Sequence, residues 1–296
     1  MRRAGTRSLV FAGTVLVACM VALPARAYVR AVTSAGVPVW WKNPNVSLDF
    51  PLGAPPPAMT SDAYLQAARL AAAAWSGPTL ACTDLVISIR ETAEATADVG
   101  LDFRNVIVMR ADDWSYASNA LAMTTVAKNT KTGEIVDADI EINAVDEVWA
   151  DLVQDPSLAD GTKYDFQNML THELGHVIGL AHTCSMASDS GPRLLDNQGQ
   201  PELDCASPDL PAAVASATMF PSVSPTDTSR RTLSPDDAQA ACDVYPTSAP
   251  VSSPDKSTGC SFASPSRRPP ARSPFLALAF ALGTLALLAK AGFRKR

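Results

Sequence analysis

From Glu134 to Asn143 the chain alternates without a break: Val136, Ala138, Ile140 and Ile142 fall on one side, Asp137, Asp139, Glu141 and Asn143 on the other. A period of two over this length predicts a strand with one apolar and one polar face. The acidic row reads as a face turned to water; calcium binding is its alternative use, with nothing else in the chain to support it. Ala120–Ala127 pairs with it through the polar turn Lys128–Gly133, making a hairpin. Val46–Phe50, Leu85–Glu91 and Val106–Arg110 are shorter strand-like runs. Helical spacing appears in three places. An Ala-rich stretch capped by Thr60-Ser61-Asp62 runs to about Trp75. A second runs over Asp165–Ile178, and a third starts at Ser234-Pro235, with Ser as N-cap and Pro in the first turn, and ends before Pro246. Between His182 and Met219 the chain is polar, rich in Gly and Pro, and without strong periodicity. Strand, helix, strands, helix, long loop, helix is the order of a single α+β domain built on a twisted mixed sheet.

Both ends read as addresses. Residues 1–27 have a basic start (Arg2, Arg3, Arg7), an apolar run from Leu9 to Leu23 and the small-residue site Ala25-Arg26-Ala27, the layout of a secretory signal peptide. A membrane anchor, or lipoprotein processing at Cys19, is the alternative. Residues 28–246 are the body, 247–273 a Pro/Ser-rich linker, and 274–296 an apolar segment with the basic end Arg294-Lys295-Arg296, suited to anchoring in a membrane. The expected location is therefore outside the cytoplasm, at the cell surface or released.

Export changes what the cysteines mean. Of six, Cys19 belongs to the signal segment and Cys260 to the linker, leaving Cys82, Cys184, Cys205 and Cys242. An even number in an exported body favours two disulfides. Three pairings are open; Cys184–Cys205, closing one loop, with Cys82–Cys242, joining distant elements, is the favoured one. The net charge of −6 fits no polyanion-binding surface, and nucleic acid is not an expected partner.

The chemistry is concentrated in His172-Glu173-Leu174-Gly175-His176-Val177-Ile178-Gly179-Leu180-Ala181-His182. Residues four apart share a helix face, so His172 and His176 can present two imidazoles to one ion. Glu173 is offset towards a water rather than the ion. Gly179 allows a sharp turn, after which His182 returns as a third ligand. Three nitrogen ligands leave zinc an open position, the catalytic pattern. The chain has three histidines, and all three lie in this motif. A structural role for histidine would scatter some of them elsewhere.

This stretch resembles the metzincin zinc motif, and Met219 in Thr218-Met219-Phe220-Pro221 resembles the methionine turn of the matrixin branch. Asp139–Asn143 and Leu233–Pro246, ending Cys-Asp-Val-Tyr-Pro, are similar to bacterial matrixin-like proteins. The resemblance implies a zincin-like domain, one catalytic zinc on His172, His176 and His182, Glu173 as general base, and hydrolysis of extended polypeptides laid along an edge strand. Ala120–Val126 is the candidate for that strand, with Met123 as the position where a proline should block binding. Departures are visible. Thr183 stands where matrixins usually have Ser, and Met219 comes 37 positions after His182. Met186 is its rival, without the aromatic and the Pro. The inserted loop, pinned by cysteines, is expected to shape or cover the cleft. The cysteine-switch propeptide of animal matrixins has no counterpart in the residues between Ala27 and the first expected strand. Gly259-Cys260, with the linker, apolar segment and basic end beyond it, resembles the sorting tail of many myxobacterial surface proteins, which implies Cys260 as a processing site. A zinc-bearing surface binding protein with a blocked cleft is the alternative to a peptidase.

Overall fold

The computed structural model describes residues 28–53, 55–92, 99–189 and 191–248. Residues 1–27 and 249–296, which carry the expected signal segment, Cys260, most of the linker and the apolar tail, lie outside the described residues.

The strands are β1 (Val29–Arg30), β2 (Asn45–Pro51), β3 (Val86–Thr92), β4 (Asn105–Arg110), β5 (Ala122–Lys128), β6 (Ile135–Asn143), β7 (Trp149–Ala150), β8 (Tyr164–Asp165) and β9 (Leu180–Ala181). The helices are α1 (Ser61–Ala74), α2 (Phe166–Val177), α3 (Ala212–Ala215) and α4 (Pro235–Val244). Five strands form the main sheet in the order β3-β2-β4-β6-β5. β2 runs parallel to β3 and β4, β4 runs parallel to β6, and β5 closes one edge antiparallel to β6. The expected α+β architecture is the observed one. β1 has no counterpart among the expected strands. It precedes the first of them and pairs antiparallel with β9, the segment leading to His182. Two residues are too few to show a period.

The helices start where their caps predict. Thr60, Asp165 and Ser234 each accept a backbone N–H from the first turn, of Ala63, Asn168 and Asp237 respectively. α1 buries Tyr64, Leu65, Ala67, Ala68, Ala71 and Ala72, a stripe of helical spacing. Its small alanines let it lie close to α2. Phe50, Tyr64 and Phe166 fill the layer between sheet and helices, with ring centroids 4.4 Å apart for Phe50–Tyr64 and 4.8 Å for Tyr64–Phe166.

The acidic row of β6 is the main correction. It faces away from the helices as its period requires, but not towards water: Asp137, Asp139, Glu141 and Asn143 are 2%, 3%, 8% and 0% exposed. Loops cover them and supply the donors that water would have supplied. Asp139 accepts N–H groups of Gly100 (2.8 Å) and Val106 (3.1 Å), and Asp137 accepts those of Asp102 (2.8 Å) and Phe103 (2.7 Å). Glu141 takes Arg110 at 2.6 Å and the Tyr116 hydroxyl at 2.7 Å. Periodicity says which side a residue faces and is silent about what lies across from it.

Desolvation, together with the neighbouring Asp137 charge, pushes the Asp139 carboxyl up to about 6 against the hydrogen bonds from Gly100 and Val106. A carboxyl whose pKa is higher folded than unfolded stabilises the fold fully below its unfolded value near 3.8, and that contribution is lost as pH rises through about 6. The unfolding midpoint of the wild type minus that of Asp139→Asn should therefore fall between about pH 4 and about pH 7, values chosen to bracket the two pKa values. A flat difference would mean that the carboxyl is ionised throughout.

Disulfides join Cys82 to Cys242 and Cys184 to Cys205, the favoured pairing. The first ties the segment before β3 to α4; the second closes the loop that follows His182.

Candidate metal centre

α2 carries the first two histidines and is held at both ends. At its start, Asp165 caps Asn168 N–H at 2.8 Å and takes Arg231 through Nε (2.8 Å) and Nη2 (2.6 Å). At its end the last carbonyls, which no helical N–H can reach, find side chains. Trp41 Nε1 donates to Val177 O at 2.8 Å and the Tyr245 hydroxyl to Ile178 O at 2.8 Å. Gly179 then turns the chain at φ +93°, with Val39 O only 2.6 Å from where a Cβ would sit. Conformation and space both demand glycine there. β9 follows, and His182 comes back to the helix.

The three imidazoles converge. Ring centroids are 4.9 Å apart for His172–His176, 4.8 Å for His176–His182 and 5.3 Å for His172–His182. One ligand nitrogen from each can be chosen with all three within 4.8 Å of one another, and the Nε2 atoms of His176 and His182 are 3.2 Å apart. That is close to the roughly 3.3 Å between two nitrogens on a tetrahedral ion with bonds of about 2.0–2.1 Å. The tautomers also suit a metal. His172 Nδ1 donates to Thr218 O at 2.7 Å and His176 Nδ1 donates to Leu180 O at 2.9 Å. Since a carbonyl can only accept, each Nδ1 carries the proton and each Nε2 keeps its lone pair for an ion. Burial, with the neighbouring imidazoles second, depresses the pKa of His172, and of His182 to about 3, so neutral, ligand-ready rings are favoured.

Glu173 lies beside the cluster, 7% exposed, and its Oε2 accepts the Thr124 hydroxyl of β5 at 2.6 Å. Burial raises its pKa, with His176 and the Thr124 bond acting the other way. Met219, fully buried, packs on α2 so closely that a Cβ on Gly175 would meet its sulfur at 2.2 Å. The backbone around it ties two histidine segments together: Thr218 O takes His172, and Met219 O takes Thr183 N–H at 3.1 Å. Met186, the rival, is a partly exposed residue of the cleft wall. Cys184 and Cys205 are 5.1 Å apart (Cα–Cα), and the Thr183 N–H on Met219 O then ties the far end of the inserted loop back beside His182.

Two residues that sequence reading misses support this arrangement. Asp237 of α4, fully buried, accepts Thr218 N–H at 2.6 Å and the Ser234 hydroxyl at 2.5 Å, so α4 holds the carbonyl that holds His172. Its visible signal is only a place in the first turn of a helix. Thr124 sits in the expected edge strand, but its reach to Glu173 depends on how the strand lies against α2.

The cleft in front of the histidines has a volume of about 1200 Å³ and runs along β5. The inserted loop contributes Met186, Asp189, Leu194 and Glu202 to its lining, so it shapes the cleft rather than filling it. The pairing register corrects one expectation about β5. Asn143 N–H donates to Leu121 O, and Leu121 lies one residue before the Ala122↔Ile142 pair. Hydrogen-bonded pairs alternate in an antiparallel ladder, so Met123 bonds inward to β6. Ala122, Thr124 and Val126 present their backbone groups to the open edge.

Residues 40–190, just over half of the chain, match the matrixin family of peptidases. Among curated proteins none matches the chain. The matched span contains the sheet, α1, the helix with its paired histidines and the turn to the third, which is the part of the fold that builds the cluster; the chain belongs to the matrixin family of zinc metalloendopeptidases.

Proposed function

We propose that this protein is an exported zinc endopeptidase in which His172, His176 and His182 hold the metal, Glu173 is the general base and Met219 forms the turn beneath the site. The observation that carries this reading is the convergence of three imidazoles, two of them with Nδ1 locked by carbonyls, next to a buried carboxylate. Zinc held there supplies a Lewis acid that acidifies water and polarises the scissile carbonyl. Thr124 steadies Oε2 of Glu173 and leaves Oε1 to receive the proton of the attacking water, which Glu173 then passes to the leaving amine. The substrate lies extended along β5 and adds a strand to the sheet through Ala122, Thr124 and Val126.

Two disulfides support an exported protein. In this reading residues 1–27 direct export, 28–246 are the catalytic domain, and 247–273 tether it to an apolar segment, 274–296, that anchors it or is processed at Cys260. Extracellular polypeptides are then the substrates. An open cleft supports a peptidase over a blocked binding protein.

The test is peptide-library cleavage by the purified zinc-loaded protein, with chelated and zinc-restored controls. Cleavage that disappears with the metal and returns with it is expected. One zinc per chain without any cleavage would overturn the peptidase reading. Ala122→Pro probes the binding mode, since it removes one outward N–H at an edge position that tolerates proline. Turnover should drop about tenfold, the worth of one such hydrogen bond, with zinc content unchanged. Undiminished turnover would rule out strand addition at that position.

A further inference from the structure

The cleft contains a buried cation without an adjacent counter-ion among the described residues. Arg230 is 7% exposed and lies in the turn Ser229–Arg231. Its backbone N–H donates to Asn168 Oδ1 at 2.6 Å, which fixes it against α2. Its guanidinium donates from Nη1 to Phe220 O at 2.8 Å and from Nη2 to Ser222 O, and lies 5.8 Å from the centre of the Phe220 ring. Both acceptors are neutral carbonyls. Among the described residues no carboxylate stands within 4.0 Å of this guanidinium. The next residue shows the ordinary solution: Arg231 is paired with both Asp151 and Asp165. Asp227 and Asp237 are the acidic groups whose fields reach Arg230. Neither touches it: Asp227 accepts Ser229 N–H at 2.8 Å, and Asp237 accepts Thr218 N–H and the Ser234 hydroxyl through Oδ2, its Oδ1 bonding to nothing among the described residues. A charge taken out of water is expected to be paired, because desolvation is costly.

Its position suggests what completes the pair. Arg230 lines the cleft in a bay between Asn168, Met169 and His172 of α2 and the segment Pro221–Val223. It is bonded to Asn168 of α2 and to the Phe220 and Ser222 carbonyls, whereas β5 meets α2 where the Thr124 hydroxyl donates to Glu173. Arg230 thus belongs to the wall across the histidines from β5, where a side chain of an extended substrate next to the cleaved bond would project.

We propose that Arg230 is a specificity-determining residue that binds a carboxylate of the substrate beside the scissile bond, so that peptides with Asp or Glu entering this bay are preferred. This rests on reading the histidine cluster as the catalytic zinc centre. An acidic side chain and the terminal carboxylate of a short peptide offer the same chemistry. Arginine suits either, since its planar fork matches a carboxylate.

The test uses the full zinc-loaded chain and sets of peptides that differ only in Glu, Gln or Leu on either side of the cleaved bond, each amidated or with a free C-terminus. A Glu-over-Gln preference in kcat/KM of about tenfold to a hundredfold is expected, the range for a hydrogen bond to a charged group. Arg230→Gln, which keeps donors for the wall carbonyls but not the charge, should bring the ratio close to one, and Arg230→Lys should retain part of it. A purely structural role would lower turnover of all peptides alike and leave the ratio intact, which would overturn the proposal. Preference confined to free C-termini would identify the chain end as the carboxylate source. The same peptides are titrated by calorimetry into zinc-loaded Glu173→Gln protein with and without Arg230→Gln. If the wild type cleaves nothing, the peptidase reading fails, while Glu-over-Gln binding that depends on Arg230 still upholds the carboxylate site and its absence sinks it.

Discussion

Glu173→Gln should abolish most peptide cleavage while the protein still binds one zinc. The substitution keeps the shape of the side chain and an oxygen for the Thr124 hydroxyl, which now sits 2.6 Å from Oε2. What it removes is a group that can take a proton from water and hand it on. Positioned acid–base groups contribute about 10²- to 10⁴-fold to rate, so kcat should fall by that much. The three histidines do not depend on Glu173 for their placement, and His172 and His176 keep their own bonds to Thr218 and Leu180, so metal binding survives the change. Zinc analysis beside steady-state kinetics separates the two effects. A variant retaining a tenth or more of wild-type kcat would remove Glu173 from the chemistry and leave the cluster as a binding site.

The largest expected stability effect belongs to the Cys82–Cys242 bridge. It links residues 160 apart in sequence, so it removes a long loop from the unfolded ensemble. Replacing both cysteines by Ala should cost about 2–5 kcal/mol, and lower the unfolding midpoint by on the order of 10 °C. The loss should reach the metal site, because α4 carries Asp237, which holds Thr218, which holds His172. Zinc affinity in the variant should therefore fall although no ligand has changed. The bridge is reinforced by Thr83, whose hydroxyl donates to Tyr245 O at 2.6 Å, and by Thr247 N–H donating to Cys82 O at 3.0 Å. The Cys184–Cys205 bridge closes a separation of only 21 and should matter less for global stability. Equal melting of wild type and the Cys82→Ala/Cys242→Ala variant would show that these hydrogen bonds suffice without the sulfurs.

How far the site can be read from the sequence depends on how local its causes are. His172 and His176 share a helix face by spacing alone, and Gly179 followed by His182 needs only a turn and a return. The caps Thr60, Asp165 and Ser234 act within one helical turn, and each stands where the helix begins. Less local features escape such a reading. Alternation in β6 points its acidic face to water, because nothing in its own residues specifies that the loop at Gly100–Phe103 folds over it and donates backbone N–H groups. Position along β5 puts Met123 on the open edge, and the ladder parity set by the Asn143–Leu121 bond turns it inward.

By itself, the sequence determined the five longer strands, the three longer helices and that three histidines and a glutamate meet at one helix, because periodicity, capping and ligand spacing act over a few residues; the two-residue strands and the short α3 lie below that range. The tertiary structure decided what surrounds them: the carbonyls that set the imidazole tautomers, the α4 carboxylate behind Thr218, the Thr124 hydroxyl on Glu173 and the cation in the cleft wall held by the Phe220 and Ser222 carbonyls. Those depend on groups brought together from distant parts of the chain, where burial and hydrogen-bond satisfaction are properties of the packed whole.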